Sequence, residues 1–218
     1  MEIELKYRIK SRELLEKIER DKFLASIAER DSTATVMMKA AYFDTEDRIL
    51  MRNDIAFRIR KEGDRLVGTL KWGDNDMGVS GLYAREEISV PVADDSCFLS
   101  PDPYIFKDSR EGQEMLEAVS GQSLVLIFET VFTRKRFRID SDGTICEISL
   151  DTGEIIAGDR RESIQELEIE LFSGSKDELV RIGDRIAGAY DLSPEPLSKF
   201  ARGRALIEGR VIEGKKEE

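Results

Sequence analysis

The sequence predicts a mainly β fold of the α+β class, a barrel or strongly curved antiparallel sheet with a few helices packed outside it. Three observations carry that expectation. Eight segments alternate polar and apolar residues with the period of two that a strand imposes. Short turn-rich links join many of them, as hairpins require, and three stretches show helical spacing. Neither an internal repeat nor a composition break divides the chain, so one domain is expected, followed by a charged tail that ends in EGKKEE.

Taken in order, the strand at 2–9 opens with EIELKY, which sets Glu2, Glu4 and Lys6 on one face and Ile3, Leu5 and Tyr7 on the other. A helix follows at 11–20, with Ser11 as N-cap and Leu14, Leu15 and Ile18 along one side. Strands are expected at 36–44, 55–61 and 65–72, the last two joined by EGD at 62–64. GDNDMG at 73–78 reads as a hairpin loop before the strand at 82–92. Its acidic spacing lacks the glycine and distal glutamate of a calcium loop. A proline-bearing loop at 93–109 leads to a helix at 110–119. Strands at 124–139 and 144–151 flank DSDG, and another spans 164–172. SGS at 173–175 caps a helix that begins at SKDE and carries Leu179, Ile182 and Ile186. A second proline-bearing loop occupies 191–198.

Composition narrows the chemistry. The 218 residues are 40% hydrophobic, enough for a core, and carry a net charge of −11. An acidic chain is a poor general partner for nucleic acid or an anionic membrane, and no apolar run approaches a membrane span. Cys97 and Cys146 lie far apart, which suggests free thiols in a reducing, cytoplasmic setting. Histidine is absent. Acid–base work must therefore fall to carboxylates, amines, a phenol or metal-bound water.

Strand parity sorts the charges. AFRIRK places Arg58 and Arg60 together, GTLKW places Thr69 with Lys71, and LYAREEISV aligns Tyr83, Arg85 and Glu87. FTRKRFRID aligns Arg134, Arg136 and Arg138; CEISLD aligns Glu147, Ser149 and Asp151; ELEIEL aligns Glu166, Glu168 and Glu170. Any one such face is the ordinary wet side of an antiparallel sheet. The set is harder to explain that way, because two strands carry mainly acids at alternate positions and three carry mainly bases. Glu168 and Glu170 stand roughly 7 Å apart along their strand, as do Glu2 and Glu4. Were those strands neighbours, repulsion would raise their pKa values unless a hard divalent cation intervened. The basic faces call for an anion, and arginine forks fit phosphate oxygens.

The motifs also resemble a known family. EIELK matches the E-x-E-x-K signature of the CYTH superfamily, the triphosphate tunnel metalloenzymes. The likeness continues in order through YFDT (42–45), FRIR (57–60), TLK (69–71), ARE (84–86), TRKR (133–136), EISLDTGEI (147–155), ELEIEL (166–171) and SKFARG (198–203). It is most similar to the CYTH part of bacterial CYTH–CHAD proteins, whose CYTH part is typically an inorganic triphosphatase. On that footing the tunnel domain covers 1–205 and the tail 206–218. A CHAD half has no counterpart here, so the expectation is a stand-alone protein or a piece of a longer one.

The resemblance implies an eight-stranded antiparallel barrel with a charged lumen. Glu2, Glu4, Glu168 and Glu170 become metal ligands, with Glu147 and Asp151 completing the acidic wall. Lys6, Arg58, Arg60, Lys71, Arg85, Arg134, Arg136 and Lys199 become triphosphate contacts. Glu4, Glu168, Lys71 and Arg58 are the residues expected to carry catalysis. Arg202 is a further candidate contact, with support of SKFARG as its alternative role, and Arg8, Glu87 and Arg138 sit near strand ends that leave the lumen. The implied reaction is hydrolysis of inorganic triphosphate to pyrophosphate and phosphate with Mg²⁺ or Mn²⁺, two ions being expected. Thiamine or nucleoside triphosphatase, adenylate cyclase and a non-catalytic polyphosphate-binding module remain alternatives. A small-molecule triphosphate is the expected partner, with neither nucleic acid nor membrane, and a monomer the expected state.

Overall fold

The computed structural model describes residues 2–76, 81–93, 98 and 100–209, apart from the side chains of Asp74, Asn75, Asp76 and Arg85. Eight strands form the body: β1 (Glu2–Arg8), β2 (Ala34–Asp44), β3 (Ala56–Glu62), β4 (Arg65–Asp76), β5 (Leu82–Val92), β6 (Val125–Ser141), β7 (Thr144–Ala157) and β8 (Arg160–Ser173). All pairings are antiparallel, in the order β5-β4-β3-β2-β6-β7-β8-β1, and a β1–β5 pairing closes the ring. Short β1 is the closing stave: Glu4 lies opposite Tyr83 on one side and Glu170 on the other. Where β5 leaves it, a two-residue strand β9 (Ser193–Pro194) pairs with Tyr7 and Arg8.

Turn chemistry fixes the registers. Between Ser141 and Thr144, Asp142 and Gly143 have φ of 50° and 75°, the left-handed pair that matches the twist of a two-residue hairpin. Once that turn is set, period two dictates that Arg134 opposes Asp151 and Arg136 opposes Ser149.

The apolar face of the barrel points outward, and helices cover it. α1 (Arg12–Glu19), α2 (Lys22–Ile27) and α5 (Lys176–Tyr190) bury Leu15, Ile18, Leu24, Leu179, Ile182 and Ile186 against Leu5, Ile148, Leu167 and Ile169. On the other side α3 (Ile49–Arg52), a 3₁₀ helix (Pro103–Phe106) and α4 (Arg110–Val119) bury Leu50, Phe106, Met115 and Val119 against Phe57, Ile59 and Leu70. Each such side chain contributes about 1.5–3 kcal/mol by leaving water. Asp44 of YFDT serves this packing too. Its carboxylate accepts hydrogen bonds from the Thr45, Leu50 and Met51 amides, which anchors α3 to β2.

α6 (Lys199–Glu208) behaves differently. Phe200, Leu206 and Ile207 pack against Tyr42, Phe128, Phe132, Ile155 and Ile164, the inward faces of the sheet near one mouth. Gly203 permits the approach, since a Cβ there would lie 2.3 Å from the Phe128 ring. Thus α6 plugs one end of the barrel while the other helices coat it.

The structure departs from the sequence reading in a few places. β4 continues to Asp76 past a bulge between Trp72 and Asp74, so 73–76 is strand rather than hairpin loop; Met77 and Gly78 of that stretch lie outside the described residues. Trp72 packs against the outer cluster, as its parity requires. β7 and β8 run six and four residues beyond the alternating stretches, because their far ends wrap α6 and not an outer helix. α6 continues through Glu208, three residues into the expected tail; 210–218 lie outside the described residues.

Candidate functional site

Inside the ring, one cavity of about 70 Å³ is bordered by Glu2, Glu4 and Lys6 of β1, Arg58 and Arg60 of β3, Lys71 of β4, Arg134 of β6, Glu168 and Glu170 of β8, and Lys199 of α6. These ten were expected together from parity and motif, and the closed register brings them together. The volume corresponds to only about two or three waters, because paired side chains project into the lumen. Lys71 Nζ lies 2.5 Å from Glu2 and 2.8 Å from Glu87, and Lys6 Nζ lies 3.1 Å from Glu4.

Charge is distributed unevenly along the tunnel. Toward the α6 end, Arg134 donates a fork to Asp151 at 2.8 and 2.6 Å and reaches Glu168 at 2.5 Å. Lys199 Nζ lies 2.9 Å from Asp151 and 2.8 Å from Glu168, and also contacts Glu166. Burial alone would raise the Glu168 carboxyl, but Lys199, Arg134 and Lys6 hold it well below its usual range. This end is neutralised by the protein itself.

At the other end Glu2 and Glu4 pair with Lys71 and Lys6, but Glu170 has no ion pair among the described residues. Burial, followed by repulsion from Glu2, Glu4 and Glu168, pushes Glu170 up to about 8. Glu4 is raised as well, chiefly by burial, with Lys6 opposing and Glu168 and Glu2 adding to it. Glu2 is lowered, because Lys71 and Arg58 outweigh its burial. Carboxylates crowded to the point of holding protons suit a hard divalent cation with oxygen ligands, so the donor set fits Mg²⁺ or Mn²⁺.

Across the lumen the mismatch has the opposite sign. Arg58 and Arg60 are both half-buried, and the buried Nε of each meets no acceptor among the described residues. Burial, Arg58 and Arg134 bring Arg60 down to about 10 despite its pairing with Glu62. Burial would raise the Tyr42 phenol, yet the charge and hydrogen bond of Arg58 bring it below its ordinary value. Buried guanidinium donors without an acceptor cost about 1–3 kcal/mol each or more, which an anion would recover.

Other expected residues fall elsewhere. Asp151 lies beneath the cavity, held by Arg134 and Lys199. Arg136 and Glu147 pair with each other at 3.6 Å, Arg136 is 42% exposed, and neither borders the cavity. The Arg85 backbone pairs with Glu2, but its side chain is outside the described set. Arg8 is engaged by Glu195, and Arg138 stacks over Phe172. Arg202 does not border the cavity; it ties α6 to β8, bonding Glu162 at 2.7 Å and the Ser163 carbonyl at 2.5 Å.

Three inner-wall residues had been given no role: Glu166, which contacts Lys199; Tyr42, which holds Arg58; and Thr130, whose hydroxyl is buried without a partner among the described residues. ELEIEL and YFDT contain two of these signals. A larger groove of about 650 Å³ lies outside the barrel beside α6 and is lined by Arg8, Lys10, Arg160, Arg161 and Arg202, but Arg8, Lys10, Arg161 and Arg202 pair with Glu195, Asp191, Glu154 and Glu162, and Arg160 donates to the Leu206 and Ile207 carbonyls.

A closed antiparallel barrel whose lumen is lined by acidic and basic side chains defines a class, that of charged tunnel folds. The particular family follows from comparison with known proteins: residues 1–203 match the CYTH domain, and the chain belongs to that family. It is 30% identical over 165 residues to an inorganic triphosphatase of Haemophilus influenzae, a match covering 76% of this chain and 44% of that protein. The chain thus spans less than half the length of that relative. Among solved structures, it resembles a proposed adenylyl cyclase from Hippeastrum reported to have a dominant triphosphatase activity, with TM-score 0.71, 19% identity, and 97% and 98% of the two chains covered. A proposed adenylate cyclase from Bacillus halodurans superposes with TM-score 0.57 at 20% identity over 91% and 94% of the chains. Both show a shared fold. Among the described residues, no helix is long and apolar enough to cross a membrane.

Proposed function

We propose that this CYTH domain hydrolyses inorganic triphosphate to pyrophosphate and phosphate inside the tunnel, with a divalent metal ion, Mg²⁺ or Mn²⁺. The observation that carries the reading is the pair of half-buried arginines, Arg58 and Arg60, each with a buried Nε that has no acceptor among the described residues, in one cavity with the raised carboxyls of Glu4 and Glu170. The triphosphatase relative and the triphosphatase activity of the Hippeastrum protein support the choice of chemistry.

In this reading, Arg58 and Arg60 take phosphate oxygens with their free donors. Lys6 and Lys71 exchange Glu4 and Glu2 for phosphate, which opens the lumen that their ion pairs now fill. Tyr42 keeps the Arg58 fork aimed inward. Glu2, Glu4 and Glu170, with Glu168 at their edge, would hold the metal, which when bound would supply charge neutralisation and a water acidified for attack. Phosphoryl transfer asks mainly for alignment and charge compensation, which fixed basic side chains on rigid strands provide. Tyr42, Phe132 and Phe200 also border the cavity, but Tyr42 and Phe200 pack on each other and on Phe128 beneath α6, so the choice of inorganic triphosphate over thiamine or nucleoside triphosphates rests on the named activity of the Haemophilus influenzae relative.

The test is a phosphate-release assay with triphosphate, ATP and thiamine triphosphate, each with Mg²⁺ or Mn²⁺, on wild type and Glu4→Gln. Release is expected from triphosphate with metal and is expected to disappear in the variant. Equal turnover by Glu4→Gln would sink the site assignment, and release from ATP alone would move the substrate to a nucleotide.

A further inference from the structure

Among the described residues, one trio of potential metal ligands converges tightly: Asp151, Glu166 and Glu168, with ligand oxygens all within 4.8 Å of one another. That spacing suits oxygens sharing one ion at roughly 2.0–2.6 Å each. Yet the centre of the trio is spoken for. The Lys199 ammonium lies 2.9 Å from Asp151 and 2.8 Å from Glu168, and closer still to Glu166.

We propose that Lys199 is a tethered cation that fills this three-carboxylate site and keeps a divalent ion out of it. Metal binding is thereby confined to the Glu2, Glu4 and Glu170 side of the tunnel. The sequence reading expected two ions and counted Asp151 and Glu168 among their ligands; the geometry assigns one of those cation positions to an amino group of the protein. The inference rests on reading the tunnel as a metal site, but it is tested without substrate.

Local charge balance supports it. Asp151, Glu166 and Glu168 face three cations: Lys199, Arg134 at 2.5–2.6 Å, and Arg202 at 3.4 Å from Glu166. A divalent ion entering here would add charge to a balanced cluster and would have to expel a side chain. Glu2 and Glu4 face Lys71 and Lys6, with Lys71 shared with Glu87, while Glu170 has no ion pair among the described residues. That end therefore keeps a carboxylate, Glu170, with no ion pair to displace among the described residues.

The position of Lys199 is also built rather than adventitious. It is the first residue of α6, Ser198 caps that helix by accepting from the Ala201 amide at 3.1 Å, and Gly203 seats it on Phe128. Phe132 lies beneath the ammonium, with the ring centroid 5.1 Å away. A rigid helix thus delivers a monovalent charge to a fixed point, with no dependence on metal concentration.

Electron paramagnetic resonance of Mn²⁺ partitioning reads the stoichiometry directly. The proteins are wild type, Lys199→Met, Lys199→Arg, Asp151→Asn, Glu4→Gln and the Lys199→Met/Asp151→Asn double variant, each checked by circular dichroism. Lys199→Met should bind one Mn²⁺ per chain more than wild type. Lys199→Arg and the double variant should lose that gain. Wild-type Mn²⁺ should be lost with Glu4→Gln and kept within about threefold with Asp151→Asn. An unchanged count in folded Lys199→Met would overturn the inference, and so would loss of wild-type binding in Asp151→Asn, a readout available even if Lys199→Met fails to fold. If wild type binds no Mn²⁺ while Lys199→Met binds one through Asp151, the role of Lys199 stands and the metal dependence proposed above fails.

Discussion

Replacing Glu170 by Gln should make the metal-free protein more stable at alkaline pH, an effect opposite to the usual loss on deleting a site residue. Glu170 is pushed up to about 8 from an ordinary 4.5 by burial and by Glu2, Glu4 and Glu168. The folded state therefore binds more protons than the unfolded chain between those two values, so stability falls as pH rises through that window and the loss is complete above about 8. At 1.36 kcal/mol per pH unit, moving from 4.5 to about 8 amounts to about 5 kcal/mol, and about 3 kcal/mol if Glu4 takes up part of the proton. Urea unfolding in EDTA at pH 5 and pH 9 measures it. Wild type should lose about 3–5 kcal/mol more than Glu170→Gln across that range, and Mg²⁺ should restore most of the difference. Parallel pH profiles for the two proteins would refute the claim that Glu170 lacks a counter-charge.

Three further outcomes follow from the same geometry. Arg58→Ala removes one or more charged hydrogen bonds worth about 1.5–3 kcal/mol each, so steady-state assays should show half-saturating triphosphate rising roughly 10- to 150-fold; an unchanged value would place the anion elsewhere. Gly203→Ala puts a methyl group into the Phe128 ring, which should cost about 1–3 kcal/mol by thermal or urea unfolding and also lower turnover by shifting Lys199. Cys146 is buried, and burial with nearby Glu178 raises its thiol to about 11. In a Cys97→Ser background, maleimide at pH 7.5 should therefore modify native protein at least about 100-fold more slowly than urea-unfolded protein.

What could be read from the sequence follows from which periods it displays. Strand parity is a local, two-residue signal, so the inward faces of β1, β3, β7 and β8 were legible before any pairing was known. Parity alone leaves inward and solvent-facing sides indistinguishable; the family motifs supplied the direction, and the ring closure through β1 and β5 agrees with it. Helices α1, α4 and α5 were visible because each lays an apolar stripe on the barrel exterior. Segments α2, α3 and the 3₁₀ helix span six, four and four residues, too short for a period to emerge. α6 went unread for another reason. It enters a charged mouth, so Lys199 and Arg202 are buried beside Phe200, and no single apolar stripe marks it. The balance between acids and bases was hidden as well: only side-chain positions show that Lys199 serves Asp151, Glu166 and Glu168 while Glu170 is left without a partner among the described residues.

The central claim is that the polyanion binds within the ring, and not in the larger basic groove outside it. Titration calorimetry with an imido-bridged triphosphate and Mg²⁺ tests this most directly, comparing wild type with Arg58→Ala, Arg60→Ala and an exterior Arg160→Ala/Arg161→Ala pair. The account predicts one site per chain, weakened about 10- to 150-fold by either tunnel substitution and unchanged within threefold by the exterior pair. Wild-type affinity in both tunnel variants, with binding lost in the exterior pair, would contradict it.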